Sequence, residues 1–405
     1  MKDKPEKKIG TVSGVCLIVA TIVGGGMFSL PVALEGVWFV KGIMLLIFSS
    51  VIMLLTGLMI YEVNLKFPLG SSFHSFSKVL LPRSLNIITG ISFAFVLYCV
   101  TYAYISGAAS SLDNTLHYLT GVNLGRWSVA VIFLLVVSVM LWAGKRIGKI
   151  LSVLIIGKFT SFILTFSGMI GSVDTNLLFS QYSIPHLSTW LIALPFCIIS
   201  FGFHGSIPSL VNIYGKQNSK KIIKSIVIGV FISLFIYVFW LSVTMGNLSK
   251  TMIDTVVAKG GNIGDFLDAL RADSQSSYFK ILLLFFGNFA ISASLLSATI
   301  GLIDYIKDLF KLHLRKNGNS TALMITYLPP SVCCFFFPNG FVPAIAYAGI
   351  GLTIWSILLP PLLVRKSRQT LTDGQYRLPF GNSFFGLFFI IGLLIFTMVC
   401  YATFV

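Results

Sequence analysis

The chain has 405 residues, of which 56% are hydrophobic and only 10% are charged, with a mean hydropathy of +0.91. A soluble domain carries about 25% charged residues, and 29 Lys and Arg with 13 Asp and Glu are too few to cover a 44.4 kDa surface in water. The composition excludes a soluble protein, and the net charge of +16 is no nucleic-acid footprint, because the bases fall in short runs between apolar stretches.

A membrane helix needs roughly 20 mostly apolar residues. Eleven segments qualify in chain order: 11–34, 40–61, 84–109, 127–144, 150–171, 187–213, 222–245, 279–305, 320–337, 341–364 and 383–404. The expected fold class is an all-α polytopic membrane protein with about 11 transmembrane helices. The basic start Met1–Lys8 runs into apolar sequence without a small-x-small cleavage site and reads as a retained first helix, not a signal peptide. The ninth segment carries Pro329-Pro330 and is kept apart from the tenth by the turn signal Pro338-Asn339-Gly340. The longest loop, about 246–277, holds Asp254, Asp265, Asp268 and Asp273, with a short interfacial helix expected near Ile263–Leu270.

Charge placement tests the count. With the N-terminus in the cytoplasm and eleven crossings, 22 of the 29 bases fall on the cytoplasmic side. Six fall outside (Lys41, Arg126, Lys250, Lys259, Arg271 and Lys280) and one, Lys158, falls within a segment. Such a bias over short loops is a strong positive-inside signal, and it puts the C-terminus outside.

Two segments are interrupted. The first contains Thr21-Ile-Val-Gly-Gly-Gly-Met-Phe-Ser-Leu-Pro31 and the sixth contains Ser200-Phe-Gly-Phe-His-Gly-Ser-Ile-Pro-Ser-Leu210. With Gly25 set on Gly202, Ser29 falls on Ser206 and Pro31 on Pro208, a shared Gly-x-x-x-Ser-x-Pro. Glycine relaxes the backbone and proline removes a donor. In hydrocarbon such a break is tolerated only against protein, water or ligand. Matched breaks five helices apart are what a five-plus-five inverted repeat leaves, here 9–171 (spans 1–5) and 187–364 (spans 6–10), with 383–404 as an additional C-terminal span. Gly and Pro are also common in membrane helices without any such role. N–H groups at the half-helix starts offer a place for a substrate carboxylate.

Ionisable residues inside a membrane are candidates for function. Lys158 lies about eight residues into the fifth segment. It reads either as a structural or coupling cation or as a side chain that snorkels to the interface. Glu62 and Asp304 lie near segment ends, as interfacial or gating charges or as proton carriers, and Glu35 lies just outside the first break, toward an outer vestibule. His204 occupies the sixth-segment break as a proton-linked residue, a hydrogen-bond donor or a satisfied structural histidine. Tyr102, Tyr104 and Ser106 in the third segment, with Ser292, Ser294, Ser297 and Thr299 in the eighth, suit either a lined cavity or small-residue packing.

The stretches Gly24-Gly-Gly-Met-Phe-Ser-Leu-Pro31, Tyr104-Ile-Ser-Gly-Ala108 and Ser200-Phe-Gly-Phe-His-Gly-Ser-Ile-Pro-Ser209 resemble the bacterial aromatic amino acid permeases. These are the tyrosine- and tryptophan-specific branch of the amino acid–polyamine–organocation superfamily, and the resemblance runs through nearly the whole chain. It implies a proton-coupled symporter importing aromatic L-amino acids, tyrosine first and tryptophan next, across the bacterial inner membrane. It places Lys158 where sodium-dependent relatives hold their ion, and it makes 24–28 (Gly24, Gly25, Gly26, Met27, Phe28) and 202–206 (including Gly202, Phe203, His204, Gly205) the substrate-binding backbone. An aromatic-tolerant site would then use Tyr102, Phe203 and Phe285.

The rival readings are a sodium-coupled or facilitative carrier of other neutral amino acids, and a polytopic membrane enzyme. The enzyme lacks a motif: there is no H-E-x-x-H and no metal-spaced His/Cys group, and the six Cys lie in apolar segments without C-x-x-C spacing. No phosphate-binding Gly-x-x-x-x-Gly-Lys-Ser/Thr appears either. The sequence calls for no metal and no cofactor other than the coupling proton, and for membrane lipids and the substrate as partners, with no nucleic acid and no obligate protein partner.

Overall fold

The computed structural model describes residues 10–71, 73–179, 186–272, 277–312, 317–371 and 376–404, and no strand occurs among them. Lys2, Lys4, Lys7, Lys8, Asp273, Arg315 and Lys316, which enter the charge argument, lie outside the described residues.

Every predicted segment is helical. Eight helices are long and apolar enough to cross a membrane, or nine when the bent pair Thr11–Ile22 and Gly25–Ala33 is one span. Trp127–Ala143 is shorter, at 17 residues, and Gly318–Phe336 carries both Pro329 and Pro330 inside the helix. The third helix, Arg83–Thr120, has 38 residues, outruns the predicted boundary and ends on Gly121 at φ +75°, a conformation glycine adopts freely. The long loop folds into two helices, Lys250–Ala258 and Ile263–Ala272, where one was expected. Ser249 caps the first by accepting the Met252 N–H.

With lipid on one side and protein on the other, helix association rests on close packing and hydrogen bonds. Thr11–Ile22 lies along Ser219–Met245, and Trp38–Leu65 packs on both Leu187–Ser200 and Ser219–Met245. Ser277–Leu309 packs on Ile147–Ser167 and on Arg83–Thr120, which also carries Phe341–Thr353. The first contact is close because it is made through glycine. A Cβ on Gly14 would lie 2.8 Å from Ser225 Cβ, and one on Gly229 would lie 2.6 Å from Ile18 Cβ. Between these helices sits an aromatic core. Trp240 meets Phe166 at 4.9 Å, Phe28 at 5.7 Å and Phe286 at 5.9 Å between ring centres. Such pairs contribute about 0.5–1.5 kcal/mol each beyond their buried area.

At the end of the bundle that carries Arg83, Lys149, Lys216, Lys224 and Lys307 (the basic end), one ion pair is sealed from solvent. Arg368 Nε and Nη2 each donate to the Glu62 carboxylate at 2.7 Å, and the Leu378 N–H adds a third bond at 2.8 Å. The guanidinium also donates to the Phe380 and Leu378 carbonyls and lies 4.7 Å over Phe385. Glu62 is fully buried. Both its oxygens are committed, so this carboxylate is a fixed ionic tie between the second helix, Leu359–Thr370 and the approach to Asn382–Phe404. Removing one partner strands the other charge. Arg368→Met is expected to cost about 3–5 kcal/mol, and the double variant Glu62→Gln/Arg368→Met distinctly less. Thermal melting of the detergent-solubilised variants measures both.

Candidate functional site at two broken helices

The first helix ends at Ile22. Val23 leaves helical geometry at φ −78° and ψ 85°, Gly24 is extended, and a tight 3-10 turn at Gly25–Phe28 leads into Ser29–Ala33. The two halves are bent by 48°. The break frees carbonyls that a continuous helix would satisfy, and three of them, Ile22 O, Val23 O and Met27 O, meet side chains from distant helices. The Lys158 ammonium, 2% exposed, donates to Val23 O at 2.5 Å. The Tyr237 hydroxyl donates its single proton between Ile22 O at 2.6 Å and Ser200 O at 2.9 Å. Pro31 has no N–H for Met27 O, and the Trp240 indole donates there instead at 2.9 Å. Gly25 N–H donates to Ser294 Oγ at 2.6 Å, and the Tyr104 ring and hydroxyl stand against the Cβ positions of Gly25 and Gly24.

The sixth segment breaks correspondingly. Leu187–Ser200 stops, a 3-10 turn covers His204–Ser206, and Ile207–Tyr214 resumes with Pro208 in its first turn, where the missing N–H costs nothing. Tyr237 thereby ties the last carbonyl turns of both broken helices together, and Thr21 Oγ1 meets Ser206 Oγ at 3.0 Å. Lys158 does not snorkel. Its amine sits at the negative pole of a half-helix, where the dipole favours a cation, and it has no ion pair among the described residues. His204 is buried and bonded through Nε2 to Thr56 Oγ1 at 2.8 Å.

Open space borders the backbone at the breaks. No atom lies within 4 Å of the Cβ position of Gly26 or of Gly205. Thr21, Gly205, Ser209, Ser297, Gly301 and Asp304 are exposed on the surface of the chain.

The side chains expected to line an aromatic site are placed otherwise. Phe285 is 55% exposed and stacks on Phe289, and its neighbour Phe286 is the one that enters the aromatic core. One residue of helical rotation, about 100°, separates the two. Tyr102 donates to Phe337 O at 2.7 Å, away from the breaks, whereas Tyr104 reaches them. Phe203 is fully buried with its ring against Gly57 of the second helix. Met27 and Phe28 are buried in the core, leaving Gly24, Gly25 and Gly26 to present backbone. Tyr237 and Trp240 gave no signal in the sequence, because they belong to an uninterrupted apolar helix and acquire their roles only from what lies opposite.

At the end opposite the basic one, Lys250 is paired with Glu35 and lies 3.1 Å from Asp254, pinning helix Lys250–Ala258 over the end of the first segment. Beside it a half-open cavity of about 240 Å³ is lined by Ser106, Asp113, Arg126, Asn262, Asp265 and Asn339, among others. Burial pushes the Asp265 carboxyl above its ordinary value, and the Asp268 carboxyl likewise, although Arg271 and Asn114 pull the latter down. Among the described residues no group of three or more His, Cys, Asp or Glu is placed to hold a metal ion.

Two outcomes follow from this geometry. Tyr237→Phe keeps the ring but leaves Ile22 O and Ser200 O short of a donor, a loss of about 1 kcal/mol measurable as a lower melting temperature. At Asp265 the raised folded-state pKa means that folding is opposed by the charged form. Asp265→Asn should therefore raise the melting temperature at neutral pH, with the gain vanishing once acid protonates the carboxyl in both folded and unfolded chains.

Residues 7–400 match the model of the tryptophan/tyrosine permease family. A tyrosine permease of Enterobacter agglomerans is 46% identical over 389 residues, covering 95% of this chain and 94% of its own. A tryptophan-specific transport protein of Haemophilus influenzae is 39% identical, covering 96% and 95%. A low affinity tryptophan permease of Escherichia coli is 37% identical, covering 94% and 93%. The chain belongs to the tryptophan/tyrosine permease family, a family of aromatic amino-acid transporters, and is a multi-pass membrane protein rather than an enzyme.

Proposed function

We propose that this permease is a proton-coupled symporter importing aromatic L-amino acids across the bacterial inner membrane, tyrosine in preference to tryptophan. The observation that carries the reading is the Lys158 ammonium on Val23 O at the broken first helix. In transporters with discontinuous helices, freed carbonyls and half-helix C-termini hold the coupling cation. Here a covalently attached nitrogen takes that place, and its charge is supplied and withdrawn by a proton. Substrate sits between the breaks, its carboxylate at the half-helix N–H groups and its ring on aromatic faces. The preference for tyrosine is supported by the higher identity to a tyrosine permease than to the two tryptophan transporters.

The topology in this reading has eleven crossings, with the N-terminus and the basic end in the cytoplasm and the C-terminus outside. The repeats are 9–171 and 187–364, with 383–404 added. The pattern of helix contacts supports them. Exchanging the repeats turns the pairing of the first helix with the seventh into that of the sixth with the second, and the fifth with the eighth into the tenth with the third, and all four pairings occur. The exposed Thr21, Gly205 and Ser297 then belong to a path open to the cytoplasm, with Glu35 and Lys250 closing the outer side.

Purified protein in liposomes should accumulate labelled tyrosine only under an inward proton gradient, and collapsing the gradient should end accumulation. Lys158→Met should reduce gradient-driven accumulation to the level of empty liposomes while the variant still elutes as folded protein. Uptake that requires sodium and ignores pH overturns proton coupling, and preferential uptake of non-aromatic neutral amino acids overturns the substrate assignment.

A further inference from the structure

We infer that His204 Nδ1 and the Trp355 indole N–H form a hydroxyl-binding subsite that reads the phenol of tyrosine. The inference rests on the proposed transport of aromatic amino acids and names the atoms that choose among them.

The hydrogen bonds around His204 favour one tautomer of its ring. Thr56 has one hydroxyl proton, and its Oγ1 lies 3.0 Å from Ile52 O and 3.3 Å from Met53 O, so that proton serves the backbone. The assignment that keeps those backbone bonds makes the His204 Nε2–H the donor across the 2.8 Å contact with Thr56 Oγ1. In the uncharged ring this leaves Nδ1 as a bare acceptor, and it is buried without a partner among the described residues. Trp355 stands beside it, the two rings nearly perpendicular with centres 6.2 Å apart. Its Nε1–H is likewise buried and unpartnered among the described residues. Two neighbouring rings thus each carry an unmet buried group, one an acceptor and one a donor, and each costs about 1–3 kcal/mol while unmet.

The backbone explains why they meet. Ile354–Leu358 forms a single π-helical turn, the kind of irregularity that re-aims side chains at functional sites. Pro360 and Pro361, immediately beyond it, lack the N–H groups that Ser356 O and Ile357 O would bind, and the wider turn accommodates them. It presents Trp355 to Phe73 and Phe93, with ring centres at 5.6 and 5.4 Å, and to His204 in the unwound stretch of the sixth segment. That stretch has the two glycines Gly202 and Gly205 on either side of Phe203 and His204, so its backbone can shift to admit a ring.

A hydroxyl answers both unmet groups at once, donating to Nδ1 and accepting from Nε1–H. An indole N–H donates only, and a phenyl ring offers neither. The order of preference is therefore tyrosine, then tryptophan, then phenylalanine. A site built around hydrogen-bonding groups rejects a ligand that lacks the matching group, because its own polar atoms are then left unpaired.

The test is a cycle between protein and ligand in the same liposomes. Competition against labelled tyrosine gives the tyrosine-to-phenylalanine preference of the wild type and of Trp355→Phe, which keeps an aromatic ring and loses the N–H. The preference should fall by about three- to tenfold in the variant. A purely structural role for Trp355 would depress uptake of both ligands and leave the ratio unmoved. An unchanged ratio, as would result if the two groups are bridged by a water molecule only, overturns the inference. So does a wild type that takes phenylalanine as readily as tyrosine, a measurement that needs no variant. Wild-type protein that transports none of the three overturns the functional reading itself, and the subsite with it.

Discussion

A helix interrupted inside a bilayer must find hydrogen-bond donors for the carbonyls it releases, because hydrocarbon offers none and each unmet group costs several kcal/mol. That requirement organises the centre of this protein. Val23 O takes the Lys158 ammonium, Ile22 O and Ser200 O share the Tyr237 hydroxyl, and Met27 O takes the Trp240 indole. The fifth and seventh helices are thus fastened to the break, and with the eighth they enclose it through Ser294. The aromatic core then packs around the same Trp240. A cation at the C-terminal pole of a half-helix is favoured electrostatically, so the lysine tolerates burial without a carboxylate beside it.

The two ends of the bundle are held by ion pairs of unequal character. Glu62–Arg368 is sealed, bidentate and supplemented by backbone groups, so it holds its geometry and is costly to break. Glu35–Lys250 is partly open to solvent, shared with Asp254 and carried on a short loop helix. Water and salt screen such a pair, and it contributes little to stability. The strong tie fixes the C-terminal helix to the second one, and the weak tie holds the short helix Lys250–Ala258 over the end of the first segment.

Much of this was legible beforehand. The eleven apolar segments are all helical, the first break falls at the glycines of 24–26, and Lys158 takes the buried one of its two readings. The shared Gly-x-x-x-Ser-x-Pro located the sixth break as well. Side-chain direction was less legible. Phe285 and Phe286 are equally aromatic, and only the packing of Ser277–Leu309 on Ile147–Ser167 decides which one is inside. Tyr102 and Tyr104 differ in the same way. Trp355 carries no signal in the sequence, because the π-turn that aims it depends on how Pro360 and Pro361 are absorbed, and a proline pair near a helix end reads simply as a stop.

The sequence by itself determined the solvent, the segments, the interruptions and the charge that could not be left in lipid, because these follow from composition and from the chemistry of single residues. The tertiary structure alone decided which donor meets which carbonyl, which aromatic faces inward, and which buried polar atoms are left without a partner. Those are questions of register between helices far apart in the chain, where a rotation of one residue replaces one neighbour with another. The sequence's excess of basic residues said which loops go together, and the structure showed where one of these residues, Arg368, is consumed in tying the second helix to the C-terminal part of the chain.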